Sequence, residues 1–409
     1  MRNYIFFFLF LLATETLSAQ QKILFDATKA ETASNADWVV DADQFNLGYK
    51  NGYAVAGSGR ESNAQRFPTP SQKYITASTK GTYWTGGISS WGVDMAKKGF
   101  EVETLPYNGK ITYGNANNPQ DLSHYAVYVV DEPNIRFTNA EKTAILQFVY
   151  HGGGLFMISD HNRSDRNGDG IDSPSVWNDL MEVNDVQAYP FGFLFDLLNF
   201  DDKSKNVRYL PENPILNGPM GKVTELQFFA GTSMTLYPED NSSVKGLIYR
   251  SGSSFGNRNV MFVSAEYGKG KVVAMGDSSP ADDGSGDRND RLYDGWLKDA
   301  NGNHERLIVN ATLWLAGTVT GVQSPTEKKE MVPVFFQKRN GNCEVQVGTL
   351  PARTKKAYFS VYDLSGRKLA GFRAVTSGQR LSLNLGPGHG VFVYRLHGAG
   401  FSQTGKFMY

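Results

Sequence analysis

The sequence has almost no cysteine and no excess of charge of either sign. Among 409 residues, the single cysteine is Cys343, which excludes an internal disulfide framework and a cysteine-ligated zinc site. The 41 basic and 41 acidic side chains give a formal net charge of zero. Because binding to phosphate backbones needs clustered Lys and Arg, we expect no nucleic-acid partner.

Long apolar runs are also missing after the first residues. Ile5 to Ala13 is uninterrupted and apolar, but this run is too short to span a bilayer as a stable helix. Arg2 precedes it, and the small-residue cleavage site Leu17-Ser18-Ala19 follows, so residues 1–19 are predicted to be a signal peptide. An uncleaved membrane anchor is the less favoured alternative. We therefore expect a protein that is secreted or attached to the cell surface, with no transmembrane anchor in the mature chain.

Short buried strands alternate with amphipathic helices in residues 20–318. KILFD (22–26), YAVYVVD (125–131) and LFMISD (155–160) are apolar runs of the kind found in buried parallel strands. Between the last two, T-N-A-E at Thr138 is a capping box that begins a helix. Further along, two paired strands joined by a turn around Gly268 are predicted. This order predicts a doubly wound α/β domain with a mostly parallel sheet.

The end of the chain has a different pattern. Residues 319–332 lose apolar periodicity and carry Gly, Ser, Pro and a charge run, which predicts a linker. Residues 333–409 alternate strand-like segments with turns, which predicts a small all-β sandwich.

Four predicted core strands end in, or just before, a carboxylate. These acids are Asp26, Asp131 with Glu132 next to it, Asp160 and Asp277. In open α/β sheets, ligands bind outside the carboxyl ends of the strands. The acids should therefore converge on one crevice, where at least one pKa must rise unless a cation, Arg or Lys is present. The alternative is that each Asp caps a local turn.

A calcium-loop pattern follows the third of these strands. Asp165, Asn167, Asp169 and Asp172 occur with Gly170 at the sixth position, as in the first half of an EF-hand-type loop. The twelfth position is Val176, where the bidentate Glu of such a loop belongs. We expect Ca²⁺ here; a solvated Asn/Asp/Gly turn is the alternative.

An Asp-rich segment follows Gly276 and extends to residue 299. It contains Ser278, Asp282, Asp283 and Trp296, which together with Asp26 are candidate substrate-binding residues. The sequence VVAMGDSSP is similar to the start of GDS-type esterases, with Ser278 as the nucleophile, but its only downstream histidine before the linker is His304. A solvated acidic loop remains the alternative for the whole segment.

Residues 123–160 resemble the class I glutamine amidotransferase-like superfamily, and within it the ThuA-like proteins. The resemblance rests on the acid-ending strand, the T-x-x-E helix, the GGG stop and the strand LFMISD. It implies a flavodoxin-like sheet. The positions that match the family's nucleophilic Cys are Ser159, Asp160 and His161, so glutamine hydrolysis by thiol chemistry is excluded.

The C-terminal segment resembles the sorting domain read by the type IX secretion machinery. The resemblance is carried by VYDLSGRKL (361–369), LNLGPGHGVFVYRL (383–396) and TGKFMY (404–409). It implies export with the secretion machinery as a partner. An ordinary sugar-binding sandwich is the alternative for these residues.

Two classes of function fit these observations. The first is a hydrolase of extracellular carbohydrate, with Asp160, His161, Glu132 and Asp277 around the crevice and His161 as acid/base near neutral pH. The second is a non-catalytic carbohydrate- or ion-binding protein. Secretion and an aromatic content of 13% suggest the carbohydrate, although thick β cores would also account for the aromatics.

Deletion of residues 333–409 should trap the protein in the periplasm, because the predicted sorting domain would be missing. Cell fractionation with detection of the remaining chain measures this. Normal surface delivery of the truncated chain would contradict the prediction.

Overall fold

The computed structural model describes most of the chain, in residues 21–34, 36–41, 47–50, 53–56, 72–84, 86–285, 293–318, 332–339, 342–350, 354, 356–363, 368–385, 390–398 and 401–408. The predicted signal peptide, most of the predicted linker and residues 286–292 of the Asp-rich segment lie outside these ranges. The chain divides into two compact units, residues 1–322 and 323–409. Within the described ranges, no helix is long and apolar enough to cross a membrane.

The strands of the first unit are short, and half of them are clustered between residues 193 and 249. In chain order they are β1 Lys22–Asp26, β2 Leu47–Lys50, β3 Tyr53–Ala56, β4 Glu101–Leu105, β5 Val127–Asp131, β6 Gly154–Ile158, β7 Phe193–Phe195, β8 Phe200–Ser204, β9 Asn206–Val207, β10 Asn217–Gly218, β11 Gly221–Lys222, β12 Leu226–Gly231, β13 Met234–Leu236, β14 Lys245–Tyr249, β15 Val260–Tyr267 and β16 Gly270–Met275.

Five parallel strands form one half of a mixed sheet, in the order β4-β1-β5-β6-β16 starting from the edge strand β4. This is the flavodoxin-like order 2-1-3-4-5, so the predicted α/β fold class is confirmed. Beyond β16 the sheet continues with antiparallel strands, beginning with the β15–β16 hairpin that the sequence predicts around Gly268. The other antiparallel strands are β7, β9, β13 and β14. The sequence does not predict them, because segments of two to five residues are too short to show a periodic hydrophobic pattern.

Five helices cover the two faces of this sheet: α1 Ser89–Lys97, α2 Asn139–Tyr150, α3 Ser173–Glu182, α4 Gly295–Lys298 and α5 Asn303–Leu315. Successive strand residues point to opposite faces. Phe25 therefore packs in one core with Trp91 of α1 and residues of α5, whereas Leu24 packs in the other with Ile145 of α2 and Trp177 of α3. The capping box is present: Thr138 Oγ1 accepts from the Glu141 backbone N–H, and the Glu141 carboxylate accepts from that of Thr138.

The second unit is all β. Its strands are β17 Val334–Arg339, β18 Asn342–Val347, β19 Ala357–Tyr362, β20 Lys368–Val375, β21 Arg380–Leu383, β22 Val391–Gly398 and β23 Phe401–Met408. They form two antiparallel sheets, β17-β18-β21 and β20-β19-β22-β23, which share one apolar core. The predicted all-β sandwich is confirmed. Cys343 is part of this core, and burial raises the pKa of its thiol.

Candidate functional site

The carboxyl edge of the parallel strands carries the predicted cluster of acids. Asp26 ends β1, Asp131 ends β5, and Asp160 and Asp277 follow β6 and β16 by two residues. Because these four strands are adjacent and parallel, their carboxyl ends meet at one edge of the sheet. All four side chains are at most 3% exposed, so this edge is a buried site rather than an open acidic surface.

Glu132 lies at the centre of the hydrogen bonds at this edge. Its carboxylate accepts from the Trp38 indole N–H at 2.5 Å, from the Ser278 hydroxyl at 3.1 Å and from Arg166 Nε at 2.7 Å. Its side chain is fully buried, and its backbone has φ +46°, in the left-handed region. A non-glycine residue there is strained by about 1–3 kcal/mol, and such strain clusters at functional sites.

Arg166 is the basic residue that the sequence analysis missed. Its guanidinium also donates from Nη2 to Asp160 Oδ2 at 3.0 Å, so it bridges Asp160 and Glu132. Burial lowers the pKa of Arg166, but the two carboxylates raise it by more, and the net shift is upward. The loop after β6 carries two arginines among its acids, Arg163 and Arg166, and these were the available signal, because crowded carboxylates require a cation.

Asp131 has no such partner. Both carboxylate oxygens are buried and have no hydrogen-bond partner among the described residues. Burial raises the pKa of Asp131 well above its usual value, and the negative charges of Glu132, Asp277 and Asp282 raise it further against the opposing effect of Arg166. The surroundings of Asp131 therefore favour its protonated, neutral form over the carboxylate.

Asp277 and Asp160 also have raised pKa values. Burial raises the pKa of Asp277 to about 7, although the backbone N–H groups of Ser279 and Phe229 donate to its carboxylate. For Asp160, burial and then the charges of Glu132 and Asp277 raise the pKa, and Arg166 opposes them. The Asp277 carboxyl can therefore give up a proton near neutral pH.

His161 connects this buried network to solvent. Its side chain is 22% exposed, and its Nε2 lies 3.9 Å from Asp160 Oδ2. Its Nδ1 lies 2.6 Å from the carbonyl oxygen of Asn162 and 3.0 Å from the side-chain nitrogen of Asn199. The Asn162 carbonyl oxygen only accepts and the Asn199 amide nitrogen only donates, so these two contacts favour opposite protonation states of Nδ1.

The predicted calcium loop is an exposed turn in which the acids accept backbone N–H groups. Asp165 accepts from Gly168, Asp169 and Gly170. Asn167 and Asp169 hydrogen-bond to each other, and Asp172 caps α3. No three His, Cys, Asp or Glu side chains within the described ranges converge in a metal-binding arrangement.

The candidate substrate-binding residues are buried, and most of them have partners in the chain. The Asp26 carboxylate accepts from the Thr28 hydroxyl, and burial raises its pKa. The Asp283 carboxylate accepts from Ser90 in α1, the Asp282 carboxylate accepts from Gly284, and Trp296 packs in the core.

The esterase arrangement is not assembled in the structure. The Ser278 hydroxyl donates to Glu132 rather than to a histidine. Both ring nitrogens of His304 are engaged, one accepting from the Gln227 backbone N–H and the other facing the Gly295 carbonyl oxygen. At the position of the amidotransferase nucleophile, Ser159 is fully buried and its hydroxyl donates to the Asp160 carbonyl oxygen.

Comparisons with known proteins add low-similarity structural neighbours. Neither a family model nor a curated protein matches the chain. The mmIFT52 N-terminal domain is 12% identical with a TM-score of 0.36, covering 56% of this chain and 90% of that domain. Cytoplasmic protein STM3548 from Salmonella typhimurium is 14% identical with a TM-score of 0.37, covering 72% and 98%. A ThuA-like protein from Parabacteroides merdae is 12% identical with a TM-score of 0.33, covering 56% and 83%. Similarity at this level carries no argument about function, and the fold class rests on the strand order.

The Asp131→Asn variant should stabilise the α/β unit at pH 8, by on the order of 1 kcal/mol or more. A carboxyl whose folded-state pKa is raised destabilises the folded state progressively as pH rises above the unfolded value. The gain should therefore vanish near pH 4 and grow above it. Urea unfolding followed by tryptophan fluorescence measures it, because all six tryptophans lie between residues 38 and 314.

Asp121→Asn is the matched control with the opposite sign. Burial raises the pKa of Asp121, but hydrogen bonds from Ser123, Thr112 and the Asn115 backbone outweigh this and lower it to about 2. Its carboxylate therefore stabilises the folded state above pH 4, and the control variant should be less stable at pH 8. A loss of stability in Asp131→Asn at pH 8 would contradict the assignment of a neutral Asp131.

Proposed function

We propose that the α/β unit is an exported hydrolase of extracellular carbohydrate, with His161 as its acid/base group. The observation that carries the proposal is the position of His161. It is partly exposed to solvent, its Nδ1 contacts Asn162 and Asn199, and its Nε2 lies 3.9 Å from buried Asp160. A base oriented by a second group is the arrangement that general acid–base catalysis requires.

The buried ion pairs support a functional rather than a stabilising role for this edge. Desolvation of Glu132, Asp160 and Arg166 offsets most of the attraction between them, so buried pairs are weak evidence for stability. The left-handed backbone of Glu132 adds strain at the same edge, and such strain clusters at functional sites. In this proposal Asp160 and Arg166 are positioning residues that act through His161.

The protonation states also suit hydrolysis. Asp277, whose pKa is about 7, can supply a proton near neutral pH. When the environments of two titratable groups push their pKa values apart, one group can act as the acid and the other as the base. The predicted export supports a carbohydrate substrate. The aromatic content does not add to this support, because five of the six tryptophans lie in the cores.

A non-catalytic role for the carboxyl edge is the second candidate. It is favoured by the burial of Asp26, Asp131, Asp160 and Asp277, each at most 3% exposed. In that case the same groups hold the loops together and His161 only hydrogen-bonds. The two candidates differ in what the loss of His161 does to turnover and to stability.

The test is a screen of the mature full-length chain against polysaccharides and their oligomers. His161→Asn should reduce turnover by about 100-fold or more, since a positioned acid/base group contributes at least that much, and should leave Tm unchanged. His124→Asn, at an exposed histidine in the same unit, is the matched control and should retain full activity.

Two results would contradict the enzyme proposal. One is turnover that survives His161→Asn. The other is a wild-type chain that hydrolyses no glycan in the panel, with His161→Asn lowering Tm, which would favour the non-catalytic role.

We also propose that the loop of Asp165, Asn167, Asp169 and Asp172 binds Ca²⁺. The loop is exposed, and Gly168 and Gly170 have φ +72° and +88°, which allow the sharp turn such a loop needs. Carboxylates that accept backbone N–H groups retain further lone pairs for a cation. Because these side chains do not converge in the apo arrangement, calcium binding requires them to rotate inward.

Millimolar Ca²⁺ should raise Tm, and EDTA should reverse the shift, because a ligand of the folded state stabilises it by mass action. Asp165→Asn and Asp169→Asn should remove the shift. Asp185→Asn, at an exposed aspartate outside the loop, should keep it. A Tm that is indifferent to both Ca²⁺ and EDTA would exclude the site.

A further inference from the structure

A groove of about 680 Å³ lies away from the carboxyl edge. We call it the outer groove; it is lined by residues 208 and 210–214, by residues 243–245 before and in β14, by residues 264–266 of β15, and by Trp314 of α5. Residues 264–266 pair with the first strand residues of β16, whereas Asp277 follows the end of that strand. At about 3.3 Å per residue, the groove and Asp277 are roughly 13–20 Å apart along β16.

A second depression of about 230 Å³ adjoins the outer groove. Arg208, Leu210 and Pro211 line both, so these residues form a shared wall. The outer groove alone falls within the usual volume range of small-molecule sites. Together the two depressions offer room for a chain of several units rather than one small molecule.

Each depression contains an aromatic side chain. Trp314 lines the outer groove, and Lys271 holds it in place: the Lys271 ammonium lies 4.9 Å from the indole centroid and donates to the Trp314 carbonyl oxygen at 2.8 Å. Tyr209 lines the second depression and is 81% exposed. An exposed tyrosine and a fixed indole present flat apolar faces beside polar groups.

The polar groups of the outer groove carry no net charge. Arg208 and Lys245 supply hydrogen-bond donors, and Glu212 and Glu266 supply acceptors of opposite charge. A phosphate-bearing polymer would require an excess of basic residues, which the outer groove lacks. The second depression adds Lys205 and Lys222, and the Lys205 ammonium lies 3.8 Å from the Glu225 carboxylate. Hydroxyl groups both donate and accept, so an uncharged polyhydroxylated ligand can pair with both kinds of side chain.

We propose that the two depressions form a binding site for a neutral oligosaccharide, with Trp314 and Tyr209 as stacking platforms. The sugar rings lie with their C–H faces on the aromatic side chains, and their hydroxyls pair with Arg208, Glu212 and Glu266. The site is independent of the proposed hydrolase, because none of the acids of the carboxyl edge lines it. It would hold the protein on a glycan whether or not that glycan is cleaved.

The test is native affinity electrophoresis of the full chain in gels that contain a neutral polysaccharide: xyloglucan, galactomannan, mixed-linkage β-glucan, xylan or starch. At least one of them should retard the wild-type chain. Tyr209→Ala should raise the dissociation constant about tenfold, the loss expected for one aromatic platform. Glu212→Gln should weaken retention too, and both residues are exposed, so the fold should survive.

Trp314→Leu tests the second platform while keeping an apolar side chain next to the core. Tyr74→Ala, at a tyrosine that is 63% exposed and outside both depressions, is the matched control and should bind as the wild type does. His161→Asn should also leave retardation unchanged, so the failure of this site and the failure of the proposed hydrolase can be told apart.

Three results would overturn the proposal. They are no retardation by any of the five polysaccharides, retardation that Tyr209→Ala and Trp314→Leu both leave unchanged, and retardation only by anionic polygalacturonate.

Discussion

A guanidinium buried between two carboxylates is the interaction on which the candidate site depends. Arg166 pairs with Glu132 after β5 and with Asp160 after β6, and its backbone N–H donates to Asn134 at 2.9 Å. Because unpaired buried charges are expensive, the loop after β6 must return to the sheet edge to bring Arg166 into contact. That return also sets the position of His161 at the solvent side of Asp160.

One guanidinium does not neutralise all the acids at this edge. The raised pKa values of Asp131 and Asp277 follow from burial with too few cations nearby. Such crowding lowers the free energy of unfolding, and proteins retain it where function needs it. The strained backbone of Glu132 lies at the same place. Both charge crowding and backbone strain therefore lower the stability of the folded state at the end of β5.

The two proposed ligand sites of the α/β unit differ in physical character. The carboxyl edge is buried and rich in titratable groups, whereas the outer groove is open, balanced in charge and bordered by Trp314. They lie toward opposite ends of β16. An enzyme that acts on a long polymer needs both a site with titratable groups and a separate binding surface, because contacts away from the reacting bond hold the substrate in place.

The sequence by itself determined the parallel α/β core, the α2 capping box, the β15–β16 hairpin and the convergence of four acids, because each follows from a local pattern or from strand polarity. Only the tertiary structure decided the partners of those acids. Glu132 is bonded to residues 34, 94 and 146 positions away, namely Arg166, Trp38 and Ser278. No local sequence pattern predicts such contacts. The short antiparallel strands could not be predicted from a local pattern either, nor could the outer groove, whose walls come from four separate segments. Which carboxyl is paired and which is left protonated is a property of packing, since it depends on which charges are brought together out of water.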